Sequence, residues 1–390
     1  MRIPSSGVFL VGLIIHLVII SGNCVDAQCL VANPNVLLDT SDDCADPKYD
    51  RALGSQTITW HGVKYLFVNV GNDIRVFDAR TKKRVAESRF EKQVGHFGDS
   101  DLDLLNFSVC DECRYGVANY KKATVLFDLG ELSVPRFSAP KINFDAISIP
   151  GAFTFSHAGV QYLIASDLIQ SCGIGKSTLY EFRGIDESTG LRKIGCIDTG
   201  QIVGGYYVNG YLYLGDKSTR VYIFEVRDGP PITLQYLGSP WISYMIKDKG
   251  LSIDYERMIA VEAISTGMHI WDISTPGAPI KVSTTLGDFN RSTVKWPIAF
   301  AAKKGFKQSE RTFDISNLAA PIEFDAGFWD ASQPWNWGSS RCSEIQSGAI
   351  IDDDLYLMRY ARMQFVDVSG CSFSQIFSDG FESGTTEKWQ

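Results

Sequence analysis

The sequence predicts an all-β chain folded as a seven-bladed β-propeller of four-stranded antiparallel blades. Three observations predict it. An apolar–acid–apolar triplet recurs seven times, short β-rich runs punctuated by turns precede most copies, and hardly any stretch beyond the N-terminal segment sustains a 3.6-residue apolar period. Composition agrees: 35 glycines and 12% aromatic residues suit a turn-rich β protein. With 45% hydrophobic and 21% charged residues, the 390-residue chain has the mixture of a globular protein rather than a disordered one.

The triplets are Phe77-Asp78-Ala79, Phe127-Asp128-Leu129, Tyr180-Glu181-Phe182, Phe224-Glu225-Val226, Trp271-Asp272-Ile273, Phe313-Asp314-Ile315 and Val366-Asp367-Val368. Their acids stand at positions 78, 128, 181, 225, 272, 314 and 367, so successive copies are 42 to 53 residues apart. That is the length of one four-stranded blade. In the fourth copy the strands read as Gly205–Val208, Tyr211–Gly215, Arg220–Val226 and Ile232–Leu237. Asn209-Gly210 marks the first hairpin, because both residues tolerate positive φ. The sixth copy is the weakest, since Ile298–Ala302 passes into Lys303-Lys304-Gly305 without a clear second hairpin. Two separate β-sandwich domains are the alternative architecture.

The ends divide the chain further. Arg2, an apolar run from Val8 to Ile20 and a small-residue site at Val25-Asp26-Ala27 predict a secretory signal peptide over residues 1–27. Residues 28–49 then form an N-terminal cysteine-containing segment, 50–377 the propeller and 378–390 a tail. No later stretch is long and apolar enough to span a bilayer. Export makes disulfides the expected use of the eight remaining cysteines: Cys29, Cys44, Cys110, Cys113, Cys172, Cys196, Cys342 and Cys371. Proximity suggests Cys29 with Cys44, Cys172 with Cys196 and, less directly, Cys342 with Cys371. Cys110 and Cys113 have redox spacing, but they close a turn between two strand-like runs rather than open a helix. A structural bridge or an unpaired turn is the favoured reading.

The best copies, Trp271-Asp272-Ile273-Ser274-Thr275-Pro276 and Phe313-Asp314-Ile315-Ser316-Asn317-Leu318-Ala319-Ala320-Pro321, resemble the LVIVD repeat of bacterial and archaeal secreted or cell-surface propellers. Val366-Asp367-Val368-Ser369 matches its first half, and the first four copies keep only the apolar–acid core. The tail Phe377-Ser378-Asp379-Gly380-Phe381-Glu382-Ser383-Gly384 resembles the DGFESG-type C-terminal motif of exported proteins from Gram-negative bacteria. These resemblances imply a secreted or outer-surface protein of a Gram-negative bacterium, with the periplasm as the other location.

Charge narrows the partners. Lys plus Arg is 37 and Asp plus Glu is 45, a net −8, with no basic surplus for nucleic acid or an anionic membrane. The longest loops, Glu91–Leu104, Ser138–Pro150, Asp325–Glu344 and Asp167–Ser177, fall on one face of the predicted ring. Trp329, Trp335 and Trp337 cluster in the third of these. They suit stacking on a sugar ring or anchoring a protein, with plugging the loop onto the rim the favoured reading. Asp99, Asp101 and Asp103 alternate as at the start of a calcium loop, but Leu104 stands where that loop needs glycine, so a solvated acidic turn is favoured. Asp352-Asp353-Asp354 reads as turn chemistry. Gly173-Ile174-Gly175-Lys176-Ser177-Thr178 lacks the first glycine of a phosphate loop and leads into a strand. None of His61, His96, His157 and His269 has metal-ligand spacing.

The expectation is therefore a monomeric, non-enzymatic exported platform. It binds a protein or glycan and needs no cofactor, calcium being the one ion its acids would suit. The alternative is a hydrolase or lyase with a metal in the central channel, to which Glu262, Asp145 and Asp198 would contribute.

Overall fold

The computed structural model describes residues 31–39, 52–70, 73–89, 104–111, 113–120, 123–131, 144–145, 151–166, 172–173, 176–183, 190–216, 220–242, 250–303, 310–324, 345–359 and 362–368. Among these the strands form seven four-stranded antiparallel sheets, the blades of a seven-bladed propeller. The inner strands, one per blade in chain order, are Ala52–Trp60, Leu104–Ser108, Ala152–His157, Ile202–Val208, Leu251–Asp254, Arg291–Lys295 and Ile345–Ile351. In six blades the other three strands follow outward in chain order.

The seventh blade closes the ring differently. Its outermost strand is Val31–Asp39, which pairs antiparallel with Arg362–Asp367. The propeller thus takes in a strand that lies before residue 50. Two segments more than 300 residues apart are joined by hydrogen bonds there, and no blade is left with only three strands. A second difference lies in the loop read over Ser138–Pro150. Within it, Phe144–Asp145 pairs with Ala123 and Thr124 as the outer strand of blade 2.

The recurring triplet has a physical cause. Its acid ends the third strand and accepts a hydrogen bond from a backbone N–H of the turn that follows. Asp78 takes Thr81 at 2.9 Å, Asp128 takes Gly130 at 2.7 Å, Asp272 takes Ser274 at 2.8 Å and Asp314 takes Ser316 at 2.8 Å. The bond from Ser274 holds the Asp272 carboxyl below the usual carboxylate range. In blades 3 and 4 the acid is glutamate and serves as an ion-pair partner instead, Glu181 to Arg192 and Glu225 to Arg227. In every blade but the third the apolar residue after the acid is buried, and its N–H reaches back to the start of the second strand. Leu129 bonds the Arg114 carbonyl, Ile273 that of Met258, Ile315 that of Pro297 and Val368 that of Asp353, at 2.6 to 2.9 Å.

Each blade packs between two others, so its second strand is covered on both faces and reads as a continuous apolar run. Leu66-Phe67-Val68 and Ile298-Ala299-Phe300-Ala301-Ala302 are all buried. The outer strand of blade 5, Ile280–Leu286, is exposed or half-buried throughout. The hairpins joining first to second strands are tight. His61-Gly62, Ala158-Gly159 and Asn209-Gly210 all have positive φ, as the right-handed twist of a two-residue hairpin requires. Among the described residues two disulfides are formed. Cys110 pairs with Cys113 across the blade 2 turn, and Cys172 with Cys196, which ties a loop of blade 3 to its outer strand. No described helix is long and apolar enough to cross a membrane.

Candidate functional site at the channel mouth

Because the inner strand is common to all seven blades, it alone delivers side chains to one shared space. Small hydroxyls stitch it together. Ser55 meets Ser347 at 3.1 Å, Ser108 accepts the Thr154 N–H at 3.1 Å, and Ser292 donates to the Gly250 carbonyl at 2.9 Å. All are buried between blades, where each polar group needs such a partner. They surround a central cavity of about 680 Å³.

The cavity opens among the short first hairpins, and its rim is charged. Lys64 of blade 1 pairs with Asp352 of blade 7. Lys295 of blade 6 pairs with Glu256 of blade 5, whose carboxyl is held low by that hydrogen bond and charge. Asp111, between the bridged Cys110 and Cys113 of blade 2, accepts the Thr59 N–H of blade 1 at 2.6 Å. Asp254 is buried and shapes the neighbouring turns. Its Oδ1 accepts the N–H groups of Glu256 (3.0 Å) and Arg257 (3.3 Å), and its Oδ2 accepts that of Trp296 in blade 6 (2.6 Å). Tyr255 projects from this turn, 53% exposed. Its phenol is pushed up by burial first, then by Asp111, Glu256 and Asp254.

On the blade 3 side, His157 Nε2–H donates to Asp228 Oδ1 at 2.8 Å, and Nδ1 shares a hydrogen bond with the Tyr207 hydroxyl at 2.5 Å. Burial raises the Tyr207 phenol. The hydroxyl of Tyr206 bonds the Leu251 carbonyl at 2.7 Å, and burial pushes it up to about 12.

The structure does not bring the three acids of the channel-metal alternative together. Glu262 sits buried on the second strand of blade 5, where its Oε2 accepts His269 Nδ1–H and Trp271 Nε1–H, each at 2.9 Å, and it does not line the cavity. Asp198 is exposed beyond the outer strand of blade 3 and faces Lys176 at 3.7 Å. Asp145 is on the outer strand of blade 2. Acids that stand outside the inner strands of different blades cannot converge on an axis that only inner strands reach. No three described His, Cys, Asp or Glu side chains group closely enough to hold a metal ion. Trp329, Trp335, Trp337, Asp99, Asp101, Asp103, Cys29, Cys44, Cys342 and Cys371 lie outside the described residues. The rim residues Lys64, Asp111, Tyr255, Glu256 and Lys295 were not singled out from sequence. The signal open to a reader was positional, since each stands at or beside the turn that closes an inner strand.

Comparison with known proteins agrees on architecture. The chain is similar to the β-propeller domain of Myceliophteria thermophila Cps50 (Swd1), at TM-score 0.54 and 10% identity over 82% of this chain and 96% of that one. It is also similar to a chain in the crystal structure of the mitotic checkpoint complex, at TM-score 0.51 and 9% identity over 94% of this chain and 98% of that one. At such identities the likeness shows the fold alone. No family profile and no curated protein matches the chain. Fold and site together define a seven-bladed propeller with a charged channel mouth, an architecture suited to binding.

Proposed function

We propose that this chain is an exported binding scaffold that catalyses no reaction and takes a protein or glycan partner. The observation that supports it best is the channel mouth, where unlike charges from separate blades ring a cavity of about 680 Å³, a size in the range of ligand sites. The long-loop face, with Trp329, Trp335 and Trp337, supplies a second contact surface in this reading. The LVIVD-like repeats and the N-terminal segment support export, and the DGFESG-like tail supports the surface of a Gram-negative cell.

Purified protein screened on peptide and glycan arrays tests the proposal, with a deletion of residues 325–344 and a Glu256→Gln/Lys295→Gln double variant alongside. The expected result is a ligand whose binding is lost in one of the two variants while the circular dichroism spectrum stays native. A ligand bound equally by all three proteins, or turnover of an arrayed glycan, would overturn it.

A further inference from the structure

We infer that the Cys110–Cys113 bridge is a thiol-exchange site on the channel, opened by a small-molecule thiol that becomes bound to Cys110 as a mixed disulfide. This goes beyond the scaffold reading and does not depend on it. The position of the bridge is the first ground. Cys110 is half-buried and lines the cavity of about 680 Å³, whereas Cys113 is fully buried in the core shared by blades 1 and 2. One sulfur of the pair is therefore open to attack, and the other is placed to leave. The pair stands between two strands and opens no helix, so no helix N-terminus activates either sulfur as an attacking thiol. The attacking thiolate comes from outside, which makes the bridge a target of exchange and not a catalyst.

The second ground is that the fold has little need of this bridge. In the chain-entropy picture, the constraint a bridge places on the unfolded chain grows as the 1.5 power of the span it closes. A separation of 3 residues gives a factor about twentyfold smaller than the 24 between Cys172 and Cys196. Other bonds already hold the turn. The Cys113 N–H donates to the Cys110 carbonyl at 3.2 Å, the Val109 N–H to Gln56 Oε1 at 2.8 Å and the Thr59 N–H to Asp111 Oδ1 at 2.6 Å. The third ground is a partner that serves only the reduced state. Thr154 Oγ1 of blade 3 stands 3.9 Å from both sulfurs. Its proton goes to the Tyr162 carbonyl at 3.0 Å and one lone pair takes Gln161 Nε2–H at 2.7 Å, which leaves the other lone pair to accept a thiol S–H. A disulfide sulfur has no proton to give it.

In the exchange, the incoming thiolate attacks Cys110 Sγ and forms the new S–S bond. The Cys110–Cys113 bond breaks, and Cys113 leaves with the electron pair and takes a proton from water. A second thiolate that attacks the sulfur of the bound thiol frees Cys110 and carries that thiol off as a symmetrical disulfide. The bridge thus gains two electrons, and the two small thiols give them up.

Equilibration of the purified protein in glutathione redox buffers, followed by acid quench, alkylation and peptide mass spectrometry, tests this. Cys110 and Cys113 should become open to alkylation at a ratio of squared reduced glutathione to oxidised glutathione about tenfold or more below the one that opens Cys172–Cys196. The circular dichroism spectrum should stay native when the first bridge opens. Incubated with oxidised glutathione, Cys110 in Cys113→Ser should take up one glutathione about tenfold or more faster than Cys113 does in Cys110→Ser, and urea should remove the difference. The comparison of the two bridges in the unsubstituted chain needs neither variant to fold. Bridges that open together, Cys172–Cys196 opening first, a glutathione adduct that favours Cys113, or loss of the native spectrum when Cys110–Cys113 is reduced would each overturn the inference. None of these outcomes touches the array ligand, so the scaffold reading stands or falls separately.

Discussion

Replacing Asp254 with alanine removes a buried side chain that joins the blade 5 turn to the blade 6 turn, beside the Lys295–Glu256 pair. Three N–H groups lose their acceptor. That of Trp296, at 2.6 Å, is the shortest and lies between blades. Those of Glu256 and Arg257, at 3.0 and 3.3 Å, belong to the exposed turn, where water replaces the carboxylate at little cost. Losing a charge-assisted bond and orphaning a buried donor costs about 2 kcal/mol, and the two turn bonds add about 0.5 kcal/mol each, for roughly 3 kcal/mol in all. A chain this size loses about 2 °C of Tm per kcal/mol, so the expected fall is about 6 °C. Asp254→Asn keeps one acceptor oxygen, enough for Trp296 or for the turn but not both, and should lose about half as much. Thermal unfolding followed by tryptophan fluorescence reads both variants. An alanine variant within 1 °C of the parent (an allowance set by roughly 0.5 kcal/mol of neutral surface change), or an asparagine variant no better than alanine, would sink the argument that this carboxylate bridges blades.

Three further outcomes are expected. A Cβ at Gly151 would run into the Ile202 carbonyl oxygen of the next blade, so Gly151→Ala should cost about 3 kcal/mol in urea unfolding, and a neutral result would mean the blades slide apart easily. Tyr206 titrates near 10 unfolded and about 12 folded, so its contribution is present below pH 10 and lost as pH rises to 12. Over that window the parent should lose on the order of 2 kcal/mol more stability than Tyr206→Phe, and parallel pH curves would contradict it. Deleting residues 31–39 removes the strand that closes blade 7 and bares the edge of Arg362–Asp367, so the truncated chain should unfold at lower urea and self-associate on size exclusion. A monomer of parental stability would show that ring closure contributes nothing.

The fold was legible because one local solution repeats. An acid that caps the turn after the third strand, and an apolar residue whose N–H returns to the second strand, leave the same three letters wherever a blade ends. The repeat therefore announced blade count and blade length without any long-range knowledge. The closing strand was not legible, because Val31–Asp39 completes a blade whose other strands begin at Ile345, and no local pattern carries that partnership. Phe144–Asp145 was missed for a different reason. Two residues are too few to show an alternating period, and only pairing with Ala123 and Thr124 makes them a strand.

The channel mouth was hidden by the same geometry that builds it. Asp352 belongs to a run of three aspartates at a hairpin, and in isolation that is turn chemistry. Its basic partner Lys64 lies 288 residues earlier, brought beside it only when blade 7 meets blade 1. Asp111 sits between two cysteines that draw attention to themselves, and Tyr255 and Glu256 form an unexceptional polar turn. Loop length directed attention to the opposite face, on the rule that loops beyond minimal length carry function. In a ring of blades a second rule competes with it. The turns that close inner strands are short because they crowd the axis, and crowding brings unlike side chains from every blade within reach of one another. Chemical diversity around one point can thus come from seven minimal turns as readily as from one long loop, and at this mouth two lysines, four acids and a tyrosine meet in that way.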